Sequence, residues 1–300
     1  MPAFFILSLF FVYSARAVEP VRVDRGDSLT NIAQHLKSAG IIRSTGLFKI
    51  YSFVTGAAHR FRPGIYSFTG QESLSKIIGT LTTGPGLVEV VIPEGLTLKD
   101  IDAKLYQLGI TKKGDLVNYR SAASLEGFLF PDTYKFTPGT EIAVIVKTMR
   151  DNFDGKTKTL LSNRSDWYTI LTLASLLEKE VPTLQDQLLV ADILQRRLKM
   201  GMPLQVDATI TYLKCDGEYF VCGDRQLTKA DFKIDSPYNT YLNKGLPPTP
   251  IANPGVAAIS AVLHPKKNSY LFYLTDPKTK KTIFSKDFDG HVDNKFKYLK

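Results

Sequence analysis

The sequence is poor in residues that bind transition metals. It contains two cysteines and four histidines in 300 residues. A structural zinc site needs four ligands, most often closely spaced thiolates and imidazoles. Two thiols and a few scattered histidines do not supply them. The sequence therefore predicts a protein that holds no metal ion.

Acidic residues are fewer than basic ones. The sequence has 29 aspartates and glutamates against 38 lysines and arginines, which gives a net charge of +9. The basic residues are scattered and are not interleaved with aromatic ones, as they are on nucleic-acid-binding surfaces. We therefore do not expect nucleic acid as a partner. A basic protein does suit a polyanionic neighbourhood such as lipid headgroups or cell wall. The hydrophobic content of 44% is that of a globular chain, and the length allows two domains.

The sequence has no clear membrane-spanning run at its N-terminus. Residues 4–13 are apolar, but the run is shorter than the ~20 residues that a spanning helix needs. Residues 14–17 resemble a signal-peptide cleavage site, although the usual basic start is missing. The run is a cleaved signal, a membrane anchor or a buried helix. Its terminal position favours export by one of the first two, so we assign residues 1–19 to a signal or anchor segment.

The two cysteines, Cys215 and Cys222, flank a short segment that contains a glycine. In an exported protein this spacing permits a disulfide bond. We predict such a bond, with a structural role.

A short helical pattern occurs three times in the first third of the chain. Each copy begins with a hydroxyl residue suited to capping a helix, and apolar residues follow at the spacing of one helix face. The copies begin at Ser28, Ser73 and Thr97. A strand-like stretch precedes each of them, at Val21–Val23, 64–68 and Val88–Ile92. These units predict a small α+β module over residues 20–106.

The remaining two thirds predict a mixed α+β domain over residues 107–300, with its core at 160–300. Helical patterns cover 140–153, 167–181 and 183–200. Beyond Gly201 the pattern indicates short strands and loops, including a strand pair at 270–275 and 282–284.

The helix at 167–181 carries two glutamates in its last turn. Residues 170–177 are apolar or small on all sides, which is typical of a core helix, and Pro182 ends it. Burial and the helix dipole both raise the pKa of a carboxylate at that end, and a protonated carboxyl is what a general acid requires. Glu178 and Glu180 lie about 200° apart around the axis, so only one faces a given cleft. Periodicity does not show which of the two faces a cleft. The alternative is that both are simply solvent-exposed residues at the end of a core helix.

The run 174–180, Ala-Ser-Leu-Leu-Glu-Lys-Glu, resembles the signature of the endolytic murein transglycosylases, the YceG-like family. Further blocks match this family in order and spacing, at 126–134, 196–207, 236–241, 245–255 and 264–265. They cover nearly the whole chain after its N-terminal segment. Val206 and Ala208 depart from the pattern, where threonine and proline are expected.

The resemblance implies that Glu180 is the catalytic acid and that no cofactor takes part. It implies cleavage within nascent peptidoglycan strands to leave 1,6-anhydro-muramyl ends, which would terminate strand elongation. It also implies a single inner-membrane anchor with the bulk of the chain in the periplasm, and association with penicillin-binding synthases. If the N-terminal segment is instead cleaved, the protein would be soluble in the periplasm.

The first helical copy, from Gly26 to Ala33, looks like the opening of a LysM domain, a small peptidoglycan-binding fold. A capped helix after a turn gives similar strings in many folds, so plain structural capping is the alternative.

Six polar residues after the second long helix are candidates for substrate binding. They carry amide, hydroxyl and carboxylate groups that suit a sugar: Gln205, Asp207, Thr209, Tyr238, Asn239 and Thr240. Residues of these types also form turns, so a purely structural role in a turn is the alternative to substrate binding for each of the six. Asp207 leaves open a hydrolase with two carboxylates. A non-catalytic peptidoglycan-binding scaffold of the wall-synthesis machinery is the alternative function.

Overall fold

The computed structural model describes residues 20–66, 68–120, 125–223 and 225–299. The chain divides into two compact units, one ending at Gly86 and one spanning Leu87–Lys300. Both combine helices with small antiparallel sheets, so the predicted α+β class is confirmed. The apolar run at 4–13 lies outside the described residues. Within the described part of the chain, no helix is both long and apolar enough to cross a bilayer.

The described part of the first unit, residues 20–66 and 68–86, consists of two short strands and three helices. In chain order these are β1 (Val21–Val23), α1 (Leu29–Ser38), α2 (Thr45–Val54), β2 (Gly64–Tyr66) and α3 (Leu74–Thr83). The two strands pair in antiparallel fashion, with Val21 opposite Tyr66. The predicted caps are confirmed, because the Ser28 and Ser73 hydroxyls accept the amides of Asn31 and Lys76. The helices bury their apolar faces in a core of this unit's own.

The second unit carries the remaining elements: β3 (Val88–Ile92), α4 (Leu98–Gln107), β4 (Asp132–Phe136), α5 (Ile142–Leu161), α6 (Trp167–Glu180), α7 (Leu184–Lys199), α8 (Asp207–Lys214), α9 (Val256–Leu263), β5 (Phe272–Thr275), β6 (Thr282–Ser285) and α10 (Phe288–Tyr298). Strand β3 pairs with β4, and β5 pairs with β6, which confirms the predicted strand pair. The third helical copy belongs to this unit, because its strand β3 pairs with the later strand β4. The compact units consequently divide after Gly86 and not at residue 106.

The prediction of only short strands and loops beyond Gly201 is wrong, because α8, α9 and α10 lie there. Helices α8 and α9 are only eight residues long and rich in β-branched residues, which lower helix propensity. Helix α10 contains Gly290 near its start and buries only His291, so its sequence shows little amphipathic pattern.

Helix α6 is the central element of the second unit. Every residue from Ile170 to Leu177 is buried, and α7, α8 and α9 pack around it. The helix ends at Glu180, because Pro182 follows and Val181 takes the extended conformation that proline favours in the preceding residue. The core helix therefore delivers its last turn, with both glutamates, to the edge of the packed interior.

Candidate active site

A cavity of about 750 Å³ opens beside the C-terminal end of α6, within the second unit. It is large enough for a ligand of more than one ring. Polar and aromatic side chains share its wall: Lys179, Glu180, Arg197, Gln205, Asp207, Thr211, Tyr219, Phe232, Tyr241, Phe272, Tyr273, Thr275, Phe288, His291 and Lys295.

Glu180 is half-buried in this wall and faces the first turn of α8. The Ala208 amide donates a hydrogen bond to its Oε2 at 3.3 Å. Burial, and secondly the negative charge of Asp207, raise the pKa of Glu180 to about 7, against the lowering effect of the Ala208 amide. A carboxyl with this pKa is largely protonated just below neutral pH. It can therefore both donate and accept a proton under physiological conditions.

Tyr273, on strand β5, lies next to this carboxyl. Its hydroxyl is buried and has no hydrogen-bond partner of ordinary geometry within the described ranges. Burial, and secondly the charge of Glu180, nevertheless raise the pKa of Tyr273 well above its usual value. The phenol therefore stays neutral and keeps its proton for donation, and Glu180 is the charged group that raises its pKa most.

Glu178 points away from the cavity. Its Oε2 accepts the backbone amide of Gly255 at 3.0 Å, at the N-terminus of α9. Burial raises the pKa of Glu178. A carboxylate at a helix N-terminus is a stabilising arrangement. The geometry separates the two glutamates that periodicity left equivalent: Glu180 lines the cavity and Glu178 does not.

Two of the six predicted substrate-binding residues lie in the cavity wall beside Glu180, namely Gln205 and Asp207. Gln205 has a positive φ of 53°, and its amide donates to the Thr240 carbonyl at 3.1 Å. Asp207 begins α8, and its Oδ1 accepts the hydroxyl of Tyr241. This bond orients the Asp207 carboxylate in the wall that carries Glu180.

The other four predicted residues are not part of the cavity wall. Their polar atoms are used inside the protein. The Thr240 Oγ1 accepts the Val206 amide at 3.0 Å and pairs with the Thr209 hydroxyl. These contacts hold the segment that carries Gln205 and Asp207, so the geometry favours the turn-building alternative for both threonines.

Asn239 and Tyr238 have similar internal roles. The buried Asn239 amide donates to the carbonyls of Phe232 and Ile234, and its Oδ1 accepts the Tyr241 amide. The Tyr238 hydroxyl pairs with the hydroxyl of Thr249 at 2.7 Å. Asn239 thus orients the backbone next to Tyr241, whose hydroxyl binds Asp207.

Several residues of the wall were not predicted from the sequence, among them Arg197, Tyr241, Tyr273 and His291. Arg197 lies in the last turn of α7, where its guanidinium donates to the carbonyls of Leu204 and Leu271. Two signals were present in the sequence. Arg197 belongs to a family-like block, and Tyr241 lies next to the predicted residues. Nothing in the sequence singled out Tyr273 or His291.

Cys215 and Cys222 form a disulfide bond, with their Cα atoms 5.4 Å apart. The loop between them is fixed to α4, because the Thr97 hydroxyl donates to the Gly217 carbonyl and the Phe220 amide donates to Asp100. In the part of the chain that the structure describes, no cluster of three or more histidine, cysteine or acidic side chains is arranged to hold a metal ion.

Comparison with known proteins agrees with this architecture. The model of the YceG-like family matches residues 21–297, so the chain belongs to the YceG-like family. An endolytic murein transglycosylase of Bacillus subtilis is 33% identical, over 96% of this chain and 90% of the relative. One from Streptococcus pneumoniae is 26% identical, over 91% of this chain and 57% of the relative. By these relatives, the enzyme class is that of a lytic transglycosylase.

A solved structure has the same fold. A crystal structure of a YceG-like protein from Listeria monocytogenes superposes with a TM-score of 0.60 at 27% identity, covering 92% of this chain and 98% of that one.

Proposed function

We propose that this enzyme cleaves the bond between N-acetylmuramic acid and N-acetylglucosamine within peptidoglycan strands, with Glu180 as its catalytic acid. The observation that carries the proposal is a half-buried carboxyl with a pKa of about 7 in the wall of a 750 Å³ cavity. The names of the relatives supply the substrate class.

One carboxyl suffices for this reaction. Protonated Glu180 donates its proton to the bridging oxygen as the bond to the muramyl C1 breaks. The resulting carboxylate then takes the proton of the muramyl C6 hydroxyl, whose oxygen bonds to C1. The products are a free hydroxyl on the departing sugar and a 1,6-anhydro end, and Glu180 is protonated again. An internal hydroxyl has the proximity that makes an activated water unnecessary.

The neighbouring residues support this reaction electrostatically. Asp207 places a negative charge in the wall beside Glu180, where it stabilises a positively charged sugar ring in the transition state. The Tyr241 hydroxyl holds Asp207 in place. Arg197, held by two backbone carbonyls, stabilises the Glu180 carboxylate that forms when the proton is donated in the first step.

Asp207 is also the observation behind a second candidate, a hydrolase in which it activates a water molecule. Digestion of purified peptidoglycan followed by mass spectrometry separates the two. Anhydro-muramyl ends support the transglycosylase, and reducing muramyl ends support the hydrolase. No cleavage at all would leave a non-catalytic scaffold and would contradict both enzyme proposals.

Asp207→Asn tests the electrostatic coupling. Burial and the charge of Asp207 hold the pKa of Glu180 near 7, so removing that charge lowers this pKa. The proton is then lost at a lower pH. The alkaline limb of the kcat/KM profile, where activity falls as pH rises, is expected to move to lower pH. An unmoved limb would contradict the coupling, and loss of reducing-end products would indicate the hydrolase.

We further propose that the first unit is LysM-like and binds glycan. The segment that resembles a LysM opening forms one side of a groove of about 530 Å³, and residues 58–63 form the other. His59 is exposed in this groove. Replacing His59 with alanine in the full chain is expected to weaken sedimentation with insoluble peptidoglycan. Unchanged sedimentation would count against the groove as the glycan site.

For the cell, we propose an inner-membrane protein with its bulk in the periplasm, in which this cleavage terminates strand elongation beside penicillin-binding synthases. The apolar run at 4–13 supports a membrane anchor or export signal. Co-purification from membranes tests the association. A preparation that contains the enzyme but no synthase would contradict it.

A further inference from the structure

One wall of the active-site cavity is a single face of helix α10, and the bond-cleaving steps do not use it. The residues on this face are Phe288, His291, Lys295 and Leu299. They are spaced by three, four and four positions, which is the spacing of one stripe along a helix. The cavity that contains Glu180 therefore extends to a second, separate set of polar groups.

Lys295 is a positively charged residue of the cavity wall whose ammonium group is not bound to other described residues. Of the other cations in the wall, Lys179 donates to the Gly95 carbonyl and lies 3.7 Å from the centre of the Tyr219 ring. Arg197 donates to two backbone carbonyls. The Lys295 side chain makes no ion pair or hydrogen bond with any residue the structure describes, and it is exposed at the cavity wall. It is therefore available to an anionic ligand.

His291 supplies a polar atom that the protein leaves unsatisfied. The side chain is 9% exposed and stacks on Phe272 with ring centres 5.2 Å apart. Its Nδ1 is buried and has no hydrogen-bond partner among the residues that the structure describes. Burial lowers the pKa of His291 to about 4, so the imidazole is neutral at physiological pH. A buried polar atom without a partner costs free energy, so a rotation of the His291 ring that turned Nδ1 towards a hydrogen-bonding group of a ligand in the cavity would be favourable.

We infer that His291 and Lys295 form a subsite for the peptide that a muramyl residue carries on its lactyl group. The inference rests on the proposed function, which places a muramyl residue next to Glu180. Neither N-acetylglucosamine nor the sugar ring of the muramyl residue carries a charge. The lactyl peptide, in contrast, has amide groups that suit a neutral imidazole and carboxylates that suit a lysine.

The subsite makes the enzyme selective for strands that still carry their peptides. A strand stripped of peptide retains only the lactyl carboxylate next to the sugar ring. It has no peptide amides for the His291 imidazole and no peptide carboxylates for Lys295. The preference for peptide-bearing strands comes from the cost of leaving the His291 Nδ1 without a hydrogen bond as much as from the contact between Lys295 and the peptide.

Binding of two probes to the full-length protein tests the subsite. The first probe is the N-acetylglucosaminyl-N-acetylmuramyl disaccharide with a tetrapeptide, and the second is the same disaccharide without peptide. Calorimetry gives the ratio of their dissociation constants. We expect the wild type to prefer the peptide probe, and Lys295→Gln to reduce this preference about tenfold, as loss of a hydrogen bond to a charged group does.

Lys297→Gln is the matched control, because it removes the same charge from the exposed part of the same helix, outside the cavity wall. It is expected to keep the wild-type ratio. His291→Leu is expected to reduce the ratio as well, and a thermal melt checks that its stacking on Phe272 is not needed for folding. Equal affinity of the wild type for both probes would overturn the inference, as would an equal effect of both lysine substitutions.

This readout is independent of the proposed reaction, because binding requires no turnover. If the wild type cleaves no glycan but prefers the peptide probe, and Lys295→Gln weakens that preference, the proposed reaction fails and the subsite stands. If it cleaves glycan without regard to peptide, the reaction stands and the subsite fails.

Discussion

Replacing Glu180 with glutamine is expected to lower the rate of glycan cleavage about 10²–10⁴-fold, the range that general acid–base catalysis contributes. Glutamine has nearly the same shape, and its carbonyl oxygen can still accept the Ala208 amide. It cannot donate a proton to the bridging oxygen or take one from the C6 hydroxyl. Release of soluble fragments from purified peptidoglycan measures the rate, and circular dichroism verifies the fold.

Glu178→Gln is the internal control for this result. The two glutamates belong to the same helical turn, and both have raised pKa values through burial. Glu178, however, accepts the Gly255 amide outside the cavity wall, and a glutamine oxygen can still do so. The Glu178 variant is therefore expected to retain most of its activity. Equal losses in the two variants, or full activity in Glu180→Gln, would contradict the assignment of the catalytic acid.

Local signals in the sequence were sufficient for the helix that presents Glu180. The apolar run of α6 and the following Pro182 predicted both its burial and its end, and the structure confirms them. The hydroxyl caps at Ser28, Ser73 and Thr97 were equally local, because a cap is a contact between residues three positions apart.

The choice between Glu178 and Glu180 required information that no local pattern contains. It depends on α8 and α9, which pack on opposite sides of the end of α6 and were missed as helices. Tyr273 and His291 reach the cavity from β5 and α10, far along the chain from α6. Their roles arise only when tertiary packing brings these elements together.

The predicted sugar-binding residues show the same limit. Asn239 and Thr240 belong to a family-like block, but their side chains hydrogen-bond to backbone groups and hold Gln205, Asp207 and Tyr241 in position. Composition shows that such residues can bind sugar or build a turn. Only the direction of their side chains separates the two roles.

A related supporting network lies on the Glu178 side of α6. Asn253 accepts the Leu129 amide and donates to the Leu96 carbonyl and to Glu126. Burial raises the pKa of Glu126 to about 8. The carboxyl therefore carries little charge in the core at neutral pH. Two family-like blocks, 126–134 and 245–255, meet here, and the contact joins them next to the helix that carries Glu180.

Gly127, at the centre of this contact, is where a single methyl group is expected to have the largest effect on stability. Its φ is +90°, and a Cβ atom would lie 2.7 and 2.8 Å from two ring carbons of Pro250. Neither the proline ring nor the backbone can move away without a substantial cost in free energy. Gly127→Ala is expected to lower the free energy of unfolding by about 2–5 kcal/mol, the combined cost of left-handed backbone and overpacking.

Urea denaturation followed by fluorescence measures this effect in the second unit alone, because Trp167 is the only tryptophan of the sequence and begins α6. Gly155→Ala is the matched control. Gly155 lies inside α5 with nothing within 4 Å of an added Cβ, so this substitution is expected to stabilise the unit by about 0.5–1 kcal/mol. If Gly127→Ala were as stable as the wild type, the close approach of Pro250 would not limit this position. The opposite signs of the two changes therefore separate steric strain at Gly127 from any general response to replacing glycine.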